Sequence, residues 1–218
     1  VITFLRKKNL KLNYILNTHH HFDHIGGNME LKKTFNAKVV GFKGDKHRIP
    51  GIDIELENNE KWIFGNSKIK ILHIPGHTLG HICFFFEKEK VAFTGDTLFS
   101  LGCGRIFEGD HKQMLASLNK IKELPKDTKI YCGHEYTYNN AKFCMKYDLD
   151  NPDLKKRFEV IKKLRSNNLP TIPSILKDEL NANIFLRCDQ NDLKNKLNMK
   201  NSEDSKVFRK VRDLKDNF

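Results

Sequence analysis

Between Thr18 and His24 the chain reads Thr-His-His-His-Phe-Asp-His, directly after the apolar run Tyr14 to Leu16. Five side chains able to bind a metal, His19, His20, His21, Asp23 and His24, fall within six positions. Imidazole and carboxylate are ligands suited to zinc, iron or manganese. In an extended stretch His19 and His21 project to one side and His20 to the other. His19 and His21 can then share one ion, while the following turn brings Asp23 and His24 to a second. Taken alone, the cluster also fits a solvated His-rich loop.

Three further segments make a metal the better reading. Pro75-Gly76-His77-Thr78-Leu79-Gly80-His81, Thr94-Gly95-Asp96-Thr97 and Cys132-Gly133-His134-Glu135 each follow an apolar, strand-like run. Glycine lets the backbone turn sharply there, and the two oxygens of Asp96 can bridge two ions. A lone His at a strand end is ordinarily structural. Repeated strand ends carrying Gly-flanked His or Asp predict a two-metal site, whose chemistry would be hydrolysis by a hydroxide formed from metal-activated water.

The elements that must position these residues are short strands at Tyr14 to Leu16, Lys38 to Phe42, Ile69 to Ile74, His81 to Phe86, Val91 to Thr94 and Lys129 to Cys132, with Glu87 to Lys90 as a turn. Asp110 is placed to cap a helix whose apolar face carries Met114, Leu115, Leu118 and Ile121 and which stops before Pro125. Mixed strands and helices on this scale imply an α/β layered domain. From Asn151 the pattern turns helical. Asn151 is an N-cap, Pro152 the first helical residue, and Leu154, Phe158, Ile161 and Leu164 form one face. Ser174 is expected to cap another helix, Asn191 to Asp204 to form a polar mobile loop, and a last amphipathic helix to follow Ser202. The expected division is a catalytic domain over residues 1–148 and a helical substrate-binding domain over 149–218.

Composition narrows the class further. The chain has 218 residues, 39% hydrophobic and 30% charged, which suits a globular domain with a small appendage. No apolar run is long enough to span a membrane, so no membrane partner is expected. Cys83, Cys103, Cys132, Cys144 and Cys188 are odd in number, scattered and without a CxxC pair, which points to reduced thiols and a cytoplasmic setting. Val1 to Asn9 lacks the features of a secretory signal. An organelle address in a segment ahead of Val1 is the alternative. The net charge of +12 is spread along the chain as a solvated surface, without the aromatic-basic interleaving of a nucleic-acid reader, so no nucleic-acid partner is expected. A monomer is expected.

The order HxHxDH, then His, then Asp, then His resembles the metallo-β-lactamase superfamily. That resemblance implies an αβ/βα sandwich, with one divalent ion held by His19, His21 and His77, a second by Asp23, His24 and His134, and Asp96 bridging both. Zinc is the first candidate, with iron or manganese accepted by the same ligands. Within the superfamily the motifs THHHFDHIGGN, PGHTLGH, FTGDTLF, GCGRIFEG, CGHEYT, NPDL, PTIPS and VRDLKDNF are similar to the glyoxalase II, or hydroxyacylglutathione hydrolase, family. The implied reaction is hydrolysis of a small-molecule glutathione thioester, S-(2-hydroxyacyl)glutathione, with Asp23 orienting the nucleophile. Substrate contacts would come from Arg105, Phe107, His134 and Tyr136, while Arg212 and Lys215 hold the glycine carboxylate. His20, His81, Cys103 and Cys132 would be supporting residues. The family often has Tyr at Phe107, Trp at Phe22 and Pro at Ile184; the last two read as packing changes. It also has initial strands ahead of Val1 to Leu10, so the chain is expected to lack them and to expose a sheet edge. The rival readings are a persulfide dioxygenase with a single iron and an RNA-processing nuclease of the same fold.

Overall fold

Two sheets face each other because the central strands send alternate side chains to opposite sides. The computed structural model describes residues 1–218. Its first part contains α1 (Ile2–Lys7), β1 (Tyr14–Leu16), α2 (Phe22–Ile25), α3 (Asn28–Phe35), β2 (Lys38–Phe42), β3 (Ile52–Leu56), β4 (Lys61–Phe64), β5 (Ser67–His73), β6 (Ile82–Phe86) and β7 (Val91–Gly95). There follow β8 (Leu98–Phe99), β9 (Gly102–Cys103), α4 (His111–Lys122), β10 (Lys129–Cys132), α5 (Thr137–Tyr147), α6 (Pro152–Ser166), β11 (Ser174–Ile175), α7 (Leu176–Ala182), α8 (Asn191–Lys196) and α9 (Asp204–Asp216).

Strands β1, β2 and β3 form a parallel sheet, and a mixed sheet runs in the order β11-β10-β7-β6-β5-β4. Along β5 and β6, Ile69, Ile71, Ile82 and Phe84 face Val40 and Leu56 of the first sheet. Leu72, Cys83 and Phe85 point the other way, into the core shared with α4 and the C-terminal helices. This is the period-two pattern of a strand buried on both faces. Phe84 is fully buried between the sheets, and Phe84→Ala there costs about 3–5 kcal/mol. Ile25, Val39 and Ile49 close the outer face of the first sheet, which gives the αβ/βα layering.

This topology collects the ends of the site-bearing strands. β6 is antiparallel to both β5 and β7, and β7 is parallel to β10, so β5, β7 and β10 end at one edge. The Ile82 N–H donates to the Thr18 carbonyl at 2.8 Å, tying the exit of β1 to the entry of β6 at that same edge.

The strands expected at Tyr14 to Leu16, Lys38 to Phe42 and Lys129 to Cys132 are present with those bounds, and the others lie within one or two residues. Asp110 caps α4 through a reciprocal bond with Gln113, and Asn151 caps α6. Other expectations are corrected. Ser174 caps no helix, because it pairs with Ile130 as β11 at the sheet edge. The expected loop from Asn191 contains α8, because Leu193 is fully buried and ion pairs Arg187–Asp192, Lys194–Asp204 and Lys196–Asp148 fasten its polar face. Ile184 is a packing residue, but Phe22 is 84% exposed and fills no core. β1 is an edge of its sheet, and Phe93 within β7 is 38% exposed. Helix α1 precedes β1.

Candidate metal centre

Each predicted ligand leaves a strand or the turn after one. His19 and His21 follow β1, and α2 starts at Phe22, so Asp23 and His24 lie in its first turn. The Asn17 amide donates to the His24 carbonyl at 3.1 Å and pairs with the buried Asn28, which fixes that helix against the strand. His77 comes from the loop after β5, Asp96 from the end of β7 and His134 from the end of β10. Gly133 is required by proximity: a Cβ there would lie 2.2 Å from Asp96 Oδ1. Gly95 has φ +48, a left-handed turn that aims Asp96 inward.

The ligand atoms converge in three overlapping sets. His19, His21 and His77 form one; His19, His24 and Asp96 the next; Asp23, His24 and His134 the third, with the atoms in each set within 4.8 Å of one another. Asp96 stands at the junction, with Oδ1 3.4 Å from His24 Nε2 and Oδ2 3.3 Å from His134 Nε2 and 3.7 Å from His77 Nε2. Asp23 Oδ2 is 3.2 Å from His134 Nε2 and 3.5 Å from His24 Nε2. His77 Nδ1 donates to the Arg105 carbonyl at 2.8 Å, so its Nε2 lone pair faces the cluster, 2.9 Å from His21 Nδ1. His20 turns away to Asp45 at 2.9 Å, as strand alternation requires. His81 Nε2 accepts from the Asp96 N–H at 3.0 Å and its ring stacks on His19.

The electrostatics disfavour a charge on His19, His21, His77 and His81. Burial pushes His19 far below the usual imidazole range, with His81, His24, His77 and His21 adding repulsion. Burial also lowers His77, and takes His81 down to about 3. Burial opposes a charge on His24 as well, but the Asp96 carboxylate 3.4 Å away and Asp23 together outweigh that and raise it. Asp96 is held below the carboxylate range because His24, His134 and His77 outweigh its burial. His19 Nε2, His24 Nε2 and Asp96 Oδ1 are buried without a hydrogen-bond partner. Buried polar atoms are nearly always partnered, and a shared cation is the partner that neutral imidazoles and an ionised carboxylate fit together. Burial raises the Cys103 and Cys132 thiols to about 11, so neither is a thiolate nucleophile.

Residues 2–134 match the sequence model of the metallo-β-lactamase superfamily, and residues 135–218 that of the hydroxyacylglutathione hydrolase C-terminus. The chain is 56% identical over 218 residues to a hydroxyacylglutathione hydrolase of Pelagibacter ubique, across 100% of this chain and 85% of that one. It belongs to the hydroxyacylglutathione hydrolase family of the metallo-β-lactamase superfamily. Among solved structures it is similar to the B3 metallo-β-lactamase BLEG-1, with 34% identity and a TM-score of 0.56 over 61% of this chain and 74% of that one. It is also similar to a di-iron-bound form of TTHA1623, with 29% identity and a TM-score of 0.52 over 61% and 75%. No helix of this family member is long and apolar enough to cross a membrane.

A cavity of about 840 Å³ joins the ligand cluster to the C-terminal helices. At its metal end the Phe107 ring stands edge-on to His21 and His77, and Tyr136 stacks on His134 with centroids 4.9 Å apart. Arg105, Arg212 and Lys215 line the other end, and the structure makes them unequal. Arg212 is only 3% exposed; it donates from Nη1 to the Cys103 carbonyl at 2.8 Å and from Nη2 to Asp216 at 3.0 Å. Arg105 is mostly exposed, with Nε 3.5 Å from the same Asp216 oxygen. Lys215 is half-buried over the rings of Phe143 and Phe218. Sequence reasoning missed Asp216, although its position four residues after Arg212 on one helix face was the available signal. Phe99 and Asn140, also in the lining, carried no signal of spacing.

Proposed function

We propose that the chain hydrolyses the thioester of an S-(2-hydroxyacyl)glutathione, such as S-lactoylglutathione, to glutathione and a 2-hydroxy acid. The observation that carries this reading is one cavity with a metal-type cluster at one end and cationic side chains at the other, in a member of this family. The orphaned ring and carboxylate atoms fit two divalent ions. His19, His21 and His77 would hold one, Asp23, His24 and His134 the other, and Asp96 both. Zinc is the first choice, and iron or manganese suit the same donors. Such ions supply a hydroxide nucleophile at neutral pH and polarise the thioester carbonyl.

The chain's own residues do the rest. Asp23 Oδ2 faces the cavity and accepts a hydrogen bond that orients the attacking water. Phe107 covers the His21 and His77 rings and keeps bulk water off that side. Tyr136, stacked on His134, presents its hydroxyl to the peptide part of the substrate. Lys215 takes the glycine carboxylate, and Arg212 fixes the backbone of that wall. A thiol leaving group departs as thiolate near its ordinary pKa of about 8.5, so no general acid is needed.

The test is release of glutathione from S-lactoylglutathione by metal-replete protein, abolished by a chelator and restored by added metal. Persulfide-dependent oxygen uptake without thioester hydrolysis would instead establish the dioxygenase reading. RNA cleavage that weakens steeply with salt would establish the nuclease reading.

A further inference from the structure

The β8–β9 hairpin carries part of the cavity wall, and side chains from outside it hold its turn. Every carbonyl from residue 99 to 102 accepts from a side chain of α5 or from Asn183, the residue that follows α7. Asn183 Nδ2 donates to the carbonyls of Phe99 at 3.3 Å and Gly102 at 3.1 Å, Asn140 Nδ2 to Ser100 at 3.1 Å, and Cys144 Sγ to Leu101 at 3.2 Å. The donors of the turn converge on one group: the Leu101 N–H donates to Glu179 Oε2 at 2.7 Å and the Ser100 hydroxyl to Oε1 at 2.8 Å. Asn183 also donates to Glu179 Oε2 at 3.1 Å. Glu179 and Asn183 are fully buried. Leu101 has φ +55, a left-handed conformation costly for a branched residue, so the turn keeps its shape only while its surroundings impose it.

What the turn positions is functional surface. Phe99 packs on Tyr136 with centroids 5.4 Å apart, and the Cys103 carbonyl is the acceptor that holds Arg212. We propose that Glu179 is a positioning residue for substrate binding: by accepting from Leu101, Ser100 and Asn183 it locks the β8–β9 turn and so places Phe99 and the Cys103 carbonyl in the cavity wall. The C-terminal helices thereby shape the substrate wall from behind as well as lining it. Asp96 has its own support in the His81 bond, so the clamp acts on substrate binding and not on metal binding.

The device needs acceptors, not a charge. Burial raises the Glu179 carboxyl above its usual range, which a purely ionic role would not survive well. In Glu179→Gln the amide oxygen can take both N–H donors, while the amide nitrogen faces the Ser100 hydroxyl, which rotates to accept. In Glu179→Leu the volume stays and the acceptors vanish, leaving the Leu101 N–H and the Ser100 hydroxyl without the partner they have in Glu179.

This inference builds on the thioesterase reading, and its test separates the two. With metal-replete protein and S-lactoylglutathione, Glu179→Gln is expected to keep KM within about twofold, and Glu179→Leu to raise KM about tenfold with kcat and metal content retained. Ser100→Ala, a milder cut at the same clamp, should raise KM about threefold and serves if the Leu variant does not fold. Hydrogen exchange at the Leu101 amide supplies a readout independent of turnover: slow in wild type and Gln, fast in Leu. An inactive wild type with that exchange pattern would overturn the substrate and spare the clamp. Unchanged KM and unchanged exchange in a folded Leu variant, or a Gln variant as impaired as Leu, would overturn the clamp.

Discussion

The two ends of the cavity differ in how far the protein satisfies itself. At the metal end, His19 Nε2, His24 Nε2 and Asp96 Oδ1 are buried and unpartnered, and neighbouring imidazoles add to the burial that keeps a proton off His19. At the cation end, Arg212 is committed to the Cys103 carbonyl and to Asp216, and Asp216 also faces Arg105. The first end needs an outside partner to be stable as built, because unpaired buried polar atoms cost about 1–3 kcal/mol each. At the second only Arg212 Nε lacks a partner, its other two nitrogens being taken within the fold, and a ligand there must compete with an internal carboxylate. Metal binding should therefore be strong and structural, whereas recognition of the substrate's carboxylate should be graded.

The largest effect should come from Asp96→Ala, since this carboxylate stands at the junction of the ligand sets. Elemental analysis is expected to show both ions depleted, with thioester turnover down more than about a hundredfold. A variant that keeps one full equivalent of metal would show that the two halves do not depend on a common ligand.

Next is Lys215→Ala, which removes a cavity cation that no internal acid pairs. KM should rise about tenfold with kcat and metal content unchanged, as expected for a charge-assisted contact made equally in ground and transition states. A thioester lacking the glycine carboxylate should be indifferent to the change. Equal losses on both substrates would move Lys215 from recognition to structure.

Arg212→Lys sharpens the contrast, because its guanidinium is a buried backbone tie and packs over Phe185. A primary amine cannot make the same planar pair of bonds. The melting temperature should fall by about 4–8 °C, corresponding to roughly 2 kcal/mol. An unaltered melting temperature with a large rise in KM would make Arg212 the substrate's anchor after all.

Asp216→Asn should do least. It frees one Arg212 nitrogen and loosens Arg105, whose exposed pair with Asp216 is worth little and is screened by salt. A fall in KM of about two- to threefold at low ionic strength, vanishing at high salt, is the expected result. A rise in KM would mean that Asp216 helps the pocket by holding the arginines in place.

The legibility of the molecule follows the same division. Ligands to a metal must be of a few chemical types and sit where chains turn, so His19, His21, Asp23, His24, His77, Asp96 and His134 stood out by type and by the strands before them. Strands buried on both faces, such as Ile82–Phe86, were equally plain. Strand β3 escaped notice because Asp53 and Glu55 alternate with its inward side chains, and β4 because Ile63 is apolar yet exposed, so its four residues show no alternation. Helix α8 looked like a loop because its stability comes from one buried leucine and from ion pairs to distant residues.

By itself the sequence marked the metal-type residues and an α/β layered domain, because both depend on residue type and on local period, while the order of the layers rested on the resemblance to the family. Only the tertiary structure decided which cations are free. Arg212 and Lys215 look equivalent three residues apart on one helix, and what separates them is a carbonyl 109 residues away in the chain and a carboxylate one turn on. It also decided that Glu179 belongs to the cavity, since the turn it holds lies 78 residues before it and no spacing along the chain records that meeting. Long-range hydrogen bonds of this kind are set by how the layers pack, and packing has no period to read.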